Sequence, residues 1–289
     1  MSWTVLRSKQ DRSVNFFRDA YDGGRFEARF VSRSDDYAIA YLSSHSGCRL
    51  ACRFCHLTQT GQTSFMPASL WDLGGQLMRV LQHMDEENIR PPRLHVNFMA
   101  RGEPLANPHL CGNFAHFAGI ATREAARRDM AVRFNISTVF PADRDLDLVR
   151  AFGDWPVTPY WSLWSVDPGF RRRWLPRAEA PERSLERLLR FQSATGREVV
   201  LHWALIAGQN DQEEDLNGLL RLLKGSGLRA RLNIVRYNSF SERTGEEASP
   251  DRLNRFLEVL GPVLGVPGSR IVPRVGRDVK ASCGMFVPA

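Results

Sequence analysis

Gly47-Cys48-Arg49-Leu50-Ala51-Cys52-Arg53-Phe54-Cys55-His56 sets three cysteines in a C-x-x-x-C-x-x-C run. The chain has five cysteines in 289 residues, so this one loop holds most of its thiol chemistry. Three closely spaced thiolates suit three irons of a 4Fe–4S cluster and leave the fourth iron without a protein ligand. A zinc knuckle is the competing reading, but a structural zinc takes four ligands, usually as two separated pairs. His56 is the nearest fourth donor, and it adjoins Cys55, an awkward spacing for one tetrahedron. Cysteines grouped in this way do not form a disulfide framework, and an oxygen-sensitive cluster favours a reducing compartment.

The flanking sequence supplies the scaffold. Upstream, residues 13–17 and 25–31 surround Tyr21-Asp22-Gly23-Gly24, a hairpin signal. Tyr37-Ala38-Ile39-Ala40-Tyr41 then leads straight into the cysteine loop. Downstream, helix-period segments at 70–84, 185–192, 216–223 and 253–264 alternate with β-rich runs at 94–98, 132–136, 159–163, 199–203 and 231–235. Such alternation predicts an α/β fold, a parallel sheet covered by helices and either open or closed into a barrel. Functional groups in these folds gather at the carboxyl ends of the strands, where Thr138, Ser162 and Asn238 fall.

With 43% hydrophobic residues the chain has enough apolar material for a full core. No run of eighteen apolar residues occurs and the first residues lack a signal-peptide core, so a cytoplasmic protein without a membrane partner is expected. The net charge of +7 is arginine charge, since lysine occurs only as Lys9, Lys224 and Lys280. Arginine's planar fork suits phosphate and base stacking, although a GC-rich genome produces the same bias. Arg171-Arg172-Arg173, the densest charge run, reads as a solvated face. The seven histidines show no metal-ligand spacing.

Gly102-Glu103-Pro104-Leu105 follows the run at 94–98. Glycine lets a backbone approach a ligand, and a carboxylate accepts hydrogen bonds from an ammonium group. The cysteine run, with Phe54 before its third cysteine, resembles that of radical-SAM enzymes. There the open iron chelates S-adenosylmethionine (SAM) and delivers one electron, making a 5′-deoxyadenosyl radical. Further motifs narrow the resemblance: Ser43-Ser44-His45-Ser46-Gly47-Cys48, Phe98-Met99-Ala100-Arg101-Gly102-Glu103-Pro104-Leu105, Asn135-Ile136-Ser137-Thr138 and Trp161-Ser162-Leu163-Trp164. Leu205-Ile206-Ala207-Gly208-Gln209-Asn210-Asp211, Val235-Arg236-Tyr237-Asn238 and Ala281-Ser282-Cys283-Gly284 follow. In this order they resemble the RlmN/Cfr family, radical-SAM methyltransferases that act on carbon 2 or carbon 8 of adenosine in 23S rRNA, some also in tRNA.

The resemblance implies a partial (β/α) radical-SAM barrel in residues 41–289, with a C-terminal cysteine segment, after an N-terminal β extension in residues 1–40. It implies that Cys48, Cys52 and Cys55 hold the cluster and that Gly102, Glu103, Ser137, Ser162, Leu163 and Asn238 line the SAM site. Glu27 falls near the family's general base. Cys283 matches the cysteine that one SAM methylates; a radical from a second SAM then takes a hydrogen from that methyl group, and the methylene radical adds to adenine. Implied partners are RNA (rRNA or tRNA) and an electron donor such as flavodoxin or ferredoxin. Three departures stand out. Tyr41 replaces the thiol that resolves the enzyme–RNA intermediate, a step that calls for a thiolate. Trp164 stands where the family has histidine, and only 47 residues precede Cys48, too few for the family's N-terminal accessory domain. Cys111 has no motif around it and reads as structural. The alternatives are a divergent radical-SAM enzyme acting on another nucleotide or small molecule, and a non-catalytic RNA- or partner-binding cluster protein.

Overall fold

The computed structural model describes residues 2–288. β1 (Thr4–Arg7), β2 (Val14–Asp19), β3 (Arg25–Ser34) and β4 (Tyr37–Leu42) pair antiparallel in sequence order. From β4 onward every pairing is parallel, through β5 (Arg93–Phe98), β6 (Ala131–Thr138), β7 (Val157–Trp161), β8 (Val199–Trp203), β9 (Ala230–Val235) and β10 (Arg270–Val272). All ten strands among the described residues form one sheet in sequence order, with β1 and β10 at its two edges, so the barrel stays open.

The crossovers are helical, as parallel pairing requires. α1 (His56–Gln59) and α2 (Leu70–Glu86) lie between β4 and β5, and α3 (Pro108–Gly112) and α4 (Phe114–Ala126) precede β6. α5 (Leu148–Phe152) precedes β7, and α6 (Pro168–Trp174) and α7 (Pro181–Thr195) precede β8. α8 (Glu213–Leu223) and α9 (Pro250–Val263) complete the set. α2 begins where Ser69 and Asp72 cap each other reciprocally, and it buries Leu73, Leu77, Val80, Leu81 and Met84 at three- and four-residue spacing. No helix among the described residues is long and apolar enough to cross a membrane.

The strand period of two divides the side chains. Leu94 and Val96, Phe134 and Ile136, Val199 and Leu201, and Leu232 and Ile234 are buried in the apolar core. The residues between them (His95 and Asn97, Arg133 and Asn135, His202, Arg231 and Asn233) line a cavity of about 500 Å³ inside the barrel. A polar lumen inside an apolar shell is the frame for the site. Arg171 departs from the solvated face expected of its run: it is buried, and it donates to the carbonyls of Leu163, Ser165 and Glu179. Helix α6 turns Arg171 inward, and only Arg172 and Arg173 stay exposed.

Candidate active site

The cysteine loop leaves β4 at the carboxyl end of the sheet and closes into α1. Gly47 is needed there because a side chain would meet the carbonyls of Ser64 and Gln62 at 2.5 and 2.7 Å. Cys48, Cys52 and Cys55 all line the lumen cavity. Burial raises the Cys48 thiol to about 12, with Cys55 adding like charge, and burial likewise raises Cys52 and Cys55. Free, these thiols stay protonated at neutral pH. A bound cation reverses that balance by ionising the thiols that coordinate it.

The donor set fits a multi-iron cluster better than one zinc ion. Among the described residues no three His, Cys, Asp or Glu side chains converge on a single-ion position. His56, the fourth donor a zinc would need, turns its Nε2 to the Asn238 carbonyl oxygen at 3.0 Å. Phe54 stacks on Trp164 with ring centroids 3.7 Å apart, so the residue that departs from the family pattern walls the cysteine loop.

Glu103 caps the turn after β5. Its carboxylate accepts from the backbone N–H groups of Leu105 and Val139, each at 3.1 Å, and it lines the cavity beside Thr138. Burial lifts its pKa to about 7 against those hydrogen bonds. Gly102, with φ +90°, brings the backbone against the segment before the first cysteine; a Cβ there would lie 2.6 Å from both Ser44 Oγ and His45 Nδ1. Ser137 and Ser162, from the ends of β6 and β7, bring their hydroxyls within 3.3 Å of each other and face the same cavity. Leu163 is different: its side chain is fully buried in the core, which leaves only backbone to offer. Asn238 lines the cavity, and its side-chain oxygen is buried without a partner, an open acceptor that suits a polar ligand.

Cys283 is brought to this end of the barrel by hydrogen bonds across the whole chain length. The Asn238 amide donates to the Cys283 carbonyl at 2.9 Å and to Ser282 Oγ at 3.1 Å. The His56 N–H donates to the Gly284 carbonyl at 3.1 Å, which docks the segment on the cysteine loop. Cys283 lines the cavity, and burial of its thiol against the cavity wall, with Cys55 adding like charge, raises it to about 11.

Glu27 does not line the cavity. It is wholly buried, with Arg101 Nε donating at 2.8 Å to one carboxylate oxygen and Arg29 at 2.8 Å to the other. Burial pushes its pKa up, but Arg29 and Arg101 outweigh that and hold it below the usual carboxylate range. The same cluster grips the C-terminal segment. Val287 N–H donates to Glu27, Arg101 donates to the Val287 carbonyl, and Arg29 donates to the Met285 carbonyl, at 2.9, 2.7 and 2.6 Å. Sequence reasoning missed Arg29, Arg101 and Asn15, which also reaches Glu27. Arg101 sits inside a quoted motif, but nothing in the sequence pairs it with a carboxylate 74 residues away. Cys111 is half-buried with its thiol directed at the carbonyls of Pro104 and Leu105, a structural setting.

No family model matches the chain. It is 32% identical over 272 residues to a probable RNA methyltransferase of Anaeromyxobacter sp. (strain Fw109-5), spanning 92% of this chain and 75% of that protein. It is 28% identical over 289 residues to a probable dual-specificity RNA methyltransferase RlmN of Salinibacter ruber, spanning 96% of this chain and 74% of that one. Among solved structures, a radical SAM methyltransferase from Sphaerobacter thermophilus superposes with a TM-score of 0.76 over 98% of this chain and 80% of the other. The two are 21% identical, so that likeness bears on the fold.

Proposed function

Because the chain belongs to the RlmN-type radical-SAM RNA methyltransferases, we propose that it methylates adenosine in ribosomal or transfer RNA, at ring carbon 2 or carbon 8, with Cys283 carrying the methyl group. Cys48, Cys52 and Cys55 would hold the 4Fe–4S cluster. Gly102, Glu103, Ser137, Ser162 and Asn238 would hold SAM, with Leu163 contributing backbone. When bound, the cluster supplies the electron that cleaves SAM to a 5′-deoxyadenosyl radical. Glu103 would accept from the methionyl amino group, and Asn238 holds the backbone of Cys283 in the cavity that Glu103 also lines. We assign Glu27 the role of anchoring the C-terminal segment rather than that of general base, because its oxygens are enclosed by donors. The electron comes from a small donor such as flavodoxin or ferredoxin, and the setting is cytoplasmic.

One observation carries this reading. The Cys283 segment docks directly on the cysteine loop, through Gly284 and His56, although more than two hundred residues separate them. A structural cysteine near a chain end has no need of that address. The test is anaerobic reconstitution with iron, sulfide, SAM, reductant and total RNA, followed by nucleoside mass spectrometry. Methyladenosine from wild type, absent with Cys283→Ala and with Cys52→Ala, is the expected result. SAM cleavage without any methylated nucleoside would move the reading to another substrate.

A further inference from the structure

The lumen has a second end, and its chemistry is not that of the cluster end. Tyr37, Arg93 and Arg270 are the first residues of β4, β5 and β10, Arg231 is the second of β9, and Arg133 is the third of β6. Arg33 lies near the end of β3, which runs antiparallel to β4, so it reaches the same amino-terminal mouth. Arg33, Arg93, Arg133, Arg231 and Arg270 all line the cavity, and none forms an ion pair among the described residues. Glu103 is the one carboxylate among the residues lining this cavity, and it stands at the opposite end.

Five guanidiniums on one concave surface repel one another, and a lumen walled by protein focuses their field. The neighbours register that field. Burial first, then Arg133, Arg93 and Arg231, depress His95 to about 4, and burial with Arg33 depresses His202 to about 4. Polar atoms are also left open there: Arg33 Nε, His95 Nε2 and Asn233 Oδ1 are buried without hydrogen-bond partners. The Tyr37 and Tyr41 phenols lie against Arg33, but neutral phenols do not balance its charge. The open Arg33 Nε–H is a donor, and together with the surrounding guanidiniums it suits an anion that accepts many hydrogen bonds.

We propose that the amino-terminal mouth of the barrel is a second ligand site, and that its ligand is an oligophosphate such as the phosphate chain of a nucleoside triphosphate. Five forked donors at one mouth, with Arg93, Arg133 and Arg270 exposed and Arg33 and Arg231 half-buried, suit a small ligand with several charges on adjoining phosphates. A nucleic-acid backbone brings one charge per nucleotide, and few of its phosphates enter one barrel mouth. None of these arginines is placed in the SAM site, which lies at the opposite, cysteine-loop end of the same cavity.

Calorimetric titration of the purified full chain with inorganic tripolyphosphate, at physiological ionic strength, tests this. Saturable one-to-one binding is expected, with ATP binding comparably and a short 5′-hydroxyl single-stranded RNA failing to compete. Arg231→Gln combined with Arg270→Gln, on neighbouring strands, should weaken tripolyphosphate binding by roughly tenfold or more, the loss of two charge-assisted donors. SAM cleavage by the reconstituted double variant should be unchanged. Absence of saturable binding, or equal binding by the double variant, would overturn the proposal. Competition by the 5′-hydroxyl RNA at equal affinity would also overturn it, because it would assign the arginines to a nucleic-acid backbone.

Discussion

Glu103 and Tyr41 show how far one side chain's role depends on where it points. Burial outweighs the backbone hydrogen bonds of Glu103 and lifts its pKa to about 7, so without a charged partner the carboxyl is only partly ionised at neutral pH. An ammonium ligand favours the charged form. SAM affinity should therefore fall as pH drops below about 7, where the site must first lose a proton to bind. Glu103→Gln should weaken SAM binding by about 1.5–3 kcal/mol at pH 8 and flatten that dependence. Titrations of both proteins across pH 6 to 8, about a unit either side of that pKa, check it; a parallel pH dependence in the variant would refute the assignment. Tyr41 stands where the family resemblance places a resolving thiol, and its phenol reaches Arg33, towards the arginine mouth. Wild type is expected to turn over slowly, with a covalent protein–RNA adduct accumulating ahead of product release, and Tyr41→Cys to release methylated product faster. Intact-mass analysis after denaturing electrophoresis distinguishes the two; fast multiple turnover by wild type would mean that another group resolves the adduct.

Among the elements, the turn after β5 is tightly constrained. Gly102 has φ +90° and no room for a methyl group, with Ser44 and His45 2.6 Å from where it would sit. Gly102→Ala must strain the backbone and also push the loop off the segment before Cys48. Loss of SAM binding with the cluster still present in the absorption spectrum is the expected outcome. Full SAM affinity in that variant would show that the turn does not shape the site. Elements with strong periodicity were legible in the sequence: α2, α8 and β8 fall within a few residues of their expected spans. β1 and β10 were not, because strands of four and three residues at sheet edges carry too little pattern. α4 was also missed, since alanines make up much of its buried face and dilute the apolar signal.

At the scale of the molecule, the carboxylate of Glu27 ties the antiparallel extension to the last residues of the chain. Removing one partner from a buried ion pair leaves an uncompensated charge, at a cost of about 3–5 kcal/mol. Glu27→Gln should therefore lower stability by about that amount in denaturant unfolding. It should also speed hydrogen exchange at Val287, whose N–H it holds. The folded pKa of Glu27 is depressed, so this stabilisation is complete above the ordinary carboxylate value of 4.5 and is lost as pH falls through the folded value. Acid unfolding should accordingly shift less between pH 7 and the acid limb in Glu27→Gln than in wild type. A variant as stable as wild type, with Val287 equally protected, would rule out the anchoring role.

The cysteine run, the Gly-Glu-Pro turn and the strand–helix alternation were readable without coordinates, because spacing and period are local properties of a chain. Those features carried the α/β class and the three candidate cluster cysteines, whereas the partial barrel and the candidate SAM residues came from the family resemblance. Contacts between distant segments left no such mark. That Glu27 faces two arginines instead of the cavity, that Leu163 turns into the core, and that Arg171 leaves its exposed run became visible only in the folded chain. The five arginines make the same point. They lie on five different strands; parallel register brings four of them to one mouth, and antiparallel β3 delivers Arg33 to it from its far end. Register depends on packing across the whole barrel, and no short stretch of sequence encodes it.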